Sequence, residues 1–241
     1  LGRRFRDSRN TIAERTCIYM MLDLDKYLTM VFDCDGVIFD SNQIKTKAFY
    51  TAAKSYGDAA AQAMVEYHIA HGGISRYVKF AYFLDHIVPK YAPPRSGPDL
   101  YELLETFADE VLKGLMSCPV AKGLDRLRST TPQANWLIVS GGDQDELRKV
   151  FGSRSIAKYF DGGIFGSPDT KNVILSRELD NRNIRRPAIF FGDSILDQAT
   201  AKQADLDFVF VADWSEWIDG ARLANQGRFP MVRTINDFLE K

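Results

Sequence analysis

Four short, almost continuously apolar runs constrain the fold more than any other feature of this chain. They lie at residues 28–32, 136–139, 188–191 and 208–211, and each ends in small or acidic residues: Asp33, Ser140-Gly141-Gly142, Gly192-Asp193 and Ala212-Asp213. A strand that is apolar on both faces has no solvent side, so runs like these, with helical patterns between them, predict a parallel sheet covered on both faces. The expected fold is α/β, a Rossmann-like parallel sheet in a three-layer α/β/α arrangement. In such sheets ligands bind outside the carboxyl ends of the strands, where these polar residues fall.

Between the first and second runs lie about a hundred residues without a convincing strand. Helices are expected over 48–70, 76–88 and 99–115, with breaks at Pro93-Pro94 and Gly97-Pro98. A helical block entered straight after the first strand predicts an inserted α-helical cap over the strand ends, with residues 39–42 and 117–120 as its two crossings. The expected division is an N-terminal extension, 1–25; a core of 26–42 and 119–241; and a cap, 43–118.

Composition narrows the function. The 241 residues carry 31 Lys and Arg against 32 Asp and Glu, a net charge of −1, which gives no bulk attraction to nucleic acid or an anionic membrane. The longest apolar runs fall far short of the ~20 residues that span a bilayer. Cys17, Cys34 and Cys118 are too few and too scattered for a disulfide framework or a zinc cluster, and they fit a reducing, cytoplasmic setting. The first twenty residues, opening on Leu1, are basic but include Asp7 and Glu14, and they lack the apolar stretch of a secretory signal.

The chemistry concentrates at three strand ends. Alternation along Asp33-Cys34-Asp35 points both carboxylates to one side and Cys34 to the other, while Gly36 permits a tight exit. Two mutually repelling carboxylates are tolerable where a divalent cation binds or where one is protonated. Gly192-Asp193-Ser194-Ile195-Leu196-Asp197 adds two more acids, and hard oxygens in this number suit Mg²⁺. Ser140-Gly141-Gly142 offers a hydroxyl and N–H groups to an anion. Lys171, opening a helix, supplies positive charge beside the acids.

In their order and contexts these residues resemble the four motifs of the haloacid dehalogenase superfamily: strand-Asp33-x-Asp35-Gly36-Val37, strand-Ser140, Lys171, and strand-Gly192-Asp193-Ser194-x-x-Asp197. The resemblance covers roughly residues 28–215, and the helical insert falls where members with the first type of cap carry theirs, as in phosphoglycolate phosphatases and β-phosphoglucomutase-like proteins. It implies a Mg²⁺-dependent phosphatase acting on a small phosphorylated metabolite, a sugar phosphate or a phosphoglycolate-like compound. Asp33 would be the nucleophile and Asp35 the general acid and base. Ser140 and the backbone beside it at Gly141 would bind the phosphoryl group, and Lys171 would hold it against Asp33. Asp33, the carbonyl of Asp35 and Asp193 would bind Mg²⁺, with Asp197 binding it or orienting a ligand water. An acid at Asp35 favours an oxygen leaving group over a halide.

Gly72-Gly73-Ile74-Ser75-Arg76 resembles the specificity loop in the caps of sugar-phosphate members, which makes Arg76, with Lys79 one turn on, a candidate contact for a distal anionic group. Lys45 stands where mutases of the family carry a histidine, and it is expected to be another anion contact. The alternatives are a β-phosphoglucomutase-like phosphomutase, or a non-catalytic binding module on the same fold. Cys34 is read as a core residue, His68 and His71 as ordinary histidines rather than metal ligands, and Trp214 and Trp217 as packing residues. Oligomeric state is not legible.

Overall fold

The computed structural model describes residues 22–92 and 97–239; the basic stretch at the N-terminus, Cys17 and the Pro93-Pro94 break lie outside them. The first apolar run becomes β1, Thr29–Phe32, buried along its whole length. Further strands are β2 (Asn135–Asp143), β3 (Gly163–Ser167), β4 (Ala188–Gly192), β5 (Asp207–Val211) and β6 (Met231–Val232). They form one parallel sheet in the order β3-β2-β1-β4-β5-β6. Phe32 is in register with Ile138 on one side and Phe191 on the other, so β1 is the central strand. Chain order reverses between β1 and β4, and that switch point is where a crevice opens at the carboxyl edge.

The period-two alternation explains the continuous apolar runs. Met30, Phe32, Trp136, Ile138, Ile189 and Phe191 belong to one core, whereas Val31, Leu137, Val139 and Phe190 belong to a second on the opposite face. Helix α8 (Lys171–Asp180) and helix α9 (Ile195–Gln203) close the second core with Ile174, Leu175 and Ala201. Leu24 and Tyr27 are already buried in the first core, so packing begins inside the stretch 1–25 assigned to an extension.

Between β1 and β2 every regular element among the described residues is helical: α1 (Asn42–Ala53), α2 (Asp58–Ala70), α3 (Arg76–Tyr82), α4 (Val88–Tyr91), α5 (Leu100–Leu115) and α6 (Leu124–Thr130). A single π turn, Phe83–Ile87, joins α3 to α4. Asp99 starts α5 with a reciprocal capping box to Glu102. The two crossings lie side by side: Phe39 pairs antiparallel with Val120, and the Asp40 amide donates to the Pro119 carbonyl.

Three expectations are corrected. The helix expected over 48–70 is two helices, because Gly57 turns the chain at φ +102°. Among the described residues the sheet has six strands rather than four. The edge strand β3 hides behind two glycines and β6 has only two residues, so neither produces an apolar run. Finally, Ser140-Gly141-Gly142 is not a turn after β2 but part of it, with a register shift between Val139 and Asp143 against β3.

Candidate active site

The carboxyl ends of β1 and β4 deliver Asp33 and Asp193 to either side of the switch point. Both are buried, and both line a cavity of about 510 Å³ that reaches from the sheet edge up to the cap. Helix α8 begins with Lys171, whose Nζ lies 2.9 Å from Asp33 Oδ1 and 2.5 Å from Asp197 Oδ1. The start of α9 fixes Asp197 through a reciprocal cap: Ser194 donates its backbone N–H and its hydroxyl to Oδ2, and the Asp197 amide donates back to Ser194 Oγ. Asp33 Oδ1 also accepts from the Cys34 amide at 2.7 Å, which leaves Oδ2 without a hydrogen bond among the described residues.

Asp33, Asp193 and Asp197 each offer one carboxylate oxygen within 4.8 Å of the others. Three buried hard-oxygen donors with one lysine among them fit a divalent cation of the Mg²⁺ kind. The electrostatics agree. Burial, together with Asp197 and Asp35, pushes Asp33 up to about 7 against the pull of Lys171. Asp193 is driven well above the carboxylate range by burial and by Asp33 and Asp197. Burial disfavours the Lys171 ammonium, but Asp197 and Asp33 hold it firmly charged. The protein alone thus leaves negative charge under-compensated here, and a bound cation relieves it.

A proton must leave before a cation can bind such a site. With Asp33 near 7 and Asp193 raised by burial, apparent affinity for a divalent cation is expected to strengthen as pH rises through 7, by up to ~10-fold per pH unit for each proton displaced. Titration calorimetry in two buffers of different ionisation heat checks this. Proton release should be large at pH 6 and smaller at pH 8.

Gly36 is required by this packing. Its φ is +74°, and a Cβ there would sit 2.1 Å from Asp193 Oδ2 and 2.6 Å from Asn42 Nδ2, the group that donates to Asp193 at 2.7 Å. Gly36→Ala is expected to cost at least ~2 kcal/mol of stability and to weaken Mg²⁺ binding by displacing Asp193. A urea melt and a metal titration measure the two effects separately.

Asp35 keeps different company. Its carboxylate does not join the three-acid cluster; it accepts from the Ser41 hydroxyl at 2.6 Å and is ion-paired with Lys45 of α1. Burial opposes its charge, yet Lys45 and Ser41 hold Asp35 below the usual carboxylate range. Lys45, expected to contact a ligand anion, is therefore engaged by Asp35. Arg76, at the start of α3, is likewise engaged. Its guanidinium is bidentate to Glu146 of α7 (Gln144–Ser153) at 3.0 and 2.8 Å and lies 4.7 Å from the Phe107 ring centroid. One residue along, Tyr77 Oη donates to Asp143 at 2.8 Å. The loop at 72–75 also presses on the sheet edge: a Cβ at Gly141 would meet the Gly73 carbonyl oxygen at 2.3 Å. The start of α3 and the loop before it are thus tied at three points to the end of β2 and the start of α7.

Ser140 is fully buried beside this contact, and its Oγ accepts from the Gly142 amide at 3.0 Å. Lys79 lines the cavity from the cap side, and burial with the nearby Lys45 pushes it down to about 7. Cys34 is buried in the core, as expected, and Trp217 packs on Phe210 and Phe229. Nothing local in the sequence marks Asn42, Glu146 or His68 as a site residue. Asn42 looks like a helix cap and Glu146 like a solvated first-turn acid. His68 sits on an unremarkable alanine-rich helix.

No curated protein is significantly similar to the chain in sequence. Among solved structures it superimposes on a predicted phosphoglycolate phosphatase from Haemophilus somnus with a TM-score of 0.70 at 14% identity, covering 89% of this chain and 97% of that one. β-Phosphoglucomutase from Clostridium difficile matches with 0.65 at 16%, covering 89% and 98%. A haloacid dehalogenase-like family hydrolase from Streptococcus pneumoniae matches with 0.62 at 20%, covering 89% and 96%. At these identities the likeness is one of fold. The sequence model of the haloacid dehalogenase-like hydrolases matches residues 30–211, a span that takes in Asp33, Asp35, Ser140, Lys171, Asp193 and Asp197. On that match, with all six at the carboxyl edge of the sheet, the chain belongs to the haloacid dehalogenase-like hydrolase family.

Proposed function

We propose that the protein is a Mg²⁺-dependent phosphatase that hydrolyses the phosphomonoester of a small metabolite through a phosphorylated Asp33. One observation carries the reading. Two carboxylates two residues apart face one cavity with different partners, Asp33 against Lys171 and Asp35 against Lys45. Paired acids whose environments differ can divide nucleophilic from proton-transfer work.

In the first step Asp33 Oδ2 attacks phosphorus, the ester P–O bond breaks, and Asp35 supplies a proton to the departing alkoxide oxygen. In the second, water attacks the acyl phosphate, Asp35 takes a proton from that water, and phosphate leaves with Asp33 restored. The ionised Asp35 described above is the form the second step requires; the first requires it protonated, and a phosphomonoester bound as its monoanion brings that proton to Asp35. Lys171 and Ser140, with the Gly141 backbone, neutralise and orient the phosphoryl oxygens. Mg²⁺, held by Asp33, Asp193, Asp197 and the carbonyl of Asp35, would supply further charge neutralisation. The division into a core of 26–42 and 119–241 and a cap of 43–118 gives the cap the task of excluding water while the Arg76–Glu146 contact holds.

A mutase transfers the phosphoryl group back to a sugar, and it would need a hinge-helix group to handle the sugar's proton. Here that position is Lys45, bound to Asp35, which favours water as acceptor. Among the described residues no helix is long and apolar enough to cross a membrane, and the near-zero net charge gives no bulk attraction to nucleic acid, which favours a small metabolite as substrate.

The test is phosphate release from a panel of phosphorylated metabolites with Mg²⁺ and with EDTA. Metal-dependent release that favours a few related compounds is expected. No release, but isomerisation of a sugar 1-phosphate once a bisphosphate primer is added, would make the protein a mutase, and neither reaction under any condition would make it a binding module.

A further inference from the structure

The cap wall of the cavity contains a buried lysine amine without a counter-ion beside a buried donor without an acceptor. Lys79 is 1% exposed. Its Nζ lies 2.7 Å from His68 Nδ1, 3.4 Å from the His68 carbonyl oxygen and 5.4 Å from the Phe49 ring centroid. Among the described residues it has no ion-pair partner, whereas its cationic neighbours Lys45 and Arg76 have Asp35 and Glu146. Glu216, on the same cavity wall, attracts Lys79 from farther away and accepts instead from Thr46 at 3.1 Å.

His68 completes the picture. Burial and the two lysines keep its ring neutral. Because Nδ1 receives the Lys79 ammonium, the ring proton is assigned to Nε2. That nitrogen is buried and has no hydrogen-bond partner. A lone buried ammonium and an orphaned N–H are each expensive, and one oxyanion satisfies both. Lys79 and His68 line the same cavity as Asp33 and Asp35, so a ligand there reaches both ends.

We propose that Lys79 and His68 form the subsite for a second oxyanion of the substrate, a carboxylate or a second phosphate, at the cap end of the cavity. The inference rests on the phosphomonoester reading above and deepens it. Of the cations expected at a distal anion it keeps Lys79, releases Arg76 and Lys45, which the fold engages internally, and adds His68 of α2.

The test measures binding rather than turnover. Calorimetry of the full chain with Mg²⁺ would use three series of unhydrolysable alkylphosphonates of increasing length, tailed by a carboxylate, a second phosphonate or a hydroxyl. At one length a charged tail is expected to bind at least ~10-fold tighter than the hydroxyl tail, and the better charged tail names the anion. Lys79→Met should collapse that ratio to below ~3-fold, and His68→Phe should reduce it independently. Lys79→Met replaces an uncompensated buried charge with an apolar chain of similar shape, so it is expected to fold. Equal affinities at every length, no binding of any series, or a ratio that survives Lys79→Met would overturn the subsite. Absence of metal-dependent phosphate release with the tail preference intact would overturn only the catalytic reading.

Discussion

Asp33→Asn is expected to abolish phosphate release, lowering kcat by at least ~10⁴-fold for every phosphomonoester that the wild type accepts. The size follows from what the side chain does. An amide is isosteric with the carboxylate but cannot attack phosphorus, and no other carboxylate is placed to substitute for it. Asp193 is held by Asn42, Asp197 is locked in the Ser194 cap, and Asp35 is engaged by Lys45 and Ser41. The fold should survive the change. Lys171 loses one partner but keeps Asp197 at 2.5 Å, and removing a buried charge relieves the burial cost and the repulsion that push Asp33 up to about 7. The melting temperature without metal is therefore expected to stay within a few degrees of wild type, while Mg²⁺ stabilises the variant less. Residual activity above about one percent, in protein freed of contaminating phosphatase, would remove Asp33 from the nucleophile's role.

How far this site was legible depended on the distance between partners along the chain. Asp33, Ser140 and Asp193 announce themselves because each follows an apolar run that can only be a central strand. Lys171 is legible through motif order, and the structure brings it 2.9 Å from Asp33. What the sequence could not show is which charges neutralise which. Arg76 and Glu146 are seventy residues apart, and nothing local to either marks the pair. Without that partner Arg76 reads as a free anion-binding group. The same holds for Lys45 with Asp35, where helical geometry after a loop, not spacing, decides the contact. His68 was invisible as a site residue because its significance is a missing bond, and a missing bond exists only in three dimensions. Strand β3 was lost for a simpler reason: Gly163 and Gly166 dilute the apolar signal in an edge strand that pairs on one side only.

Asp35→Asn should separate the two halves of the reaction. A nitrophenyl phosphate has a leaving group that departs without a proton, so its first step is expected to proceed in the variant. The second step then lacks its base, and the phosphorylated protein accumulates. The expected record is a burst of nitrophenolate stoichiometric with enzyme, followed by steady turnover slowed by ~10²–10⁴-fold. Mass spectrometry should show one added phosphoryl group. An alkyl phosphate, which needs the acid in its first step, should give neither burst nor adduct. One structural consequence complicates the single variant: neutralising Asp35 leaves Lys45 buried without its counter-ion, which costs ~3–5 kcal/mol in comparable cases. The double variant Asp35→Asn/Lys45→Met removes both charges and is expected to regain most of that stability. If the burst with the aryl ester persists in the double variant, the loss belongs to the chemistry of Asp35 rather than to a loosened fold. If neither variant bursts while both bind substrate, proton transfer in the second step falls to another group and Asp35 acts in the first alone.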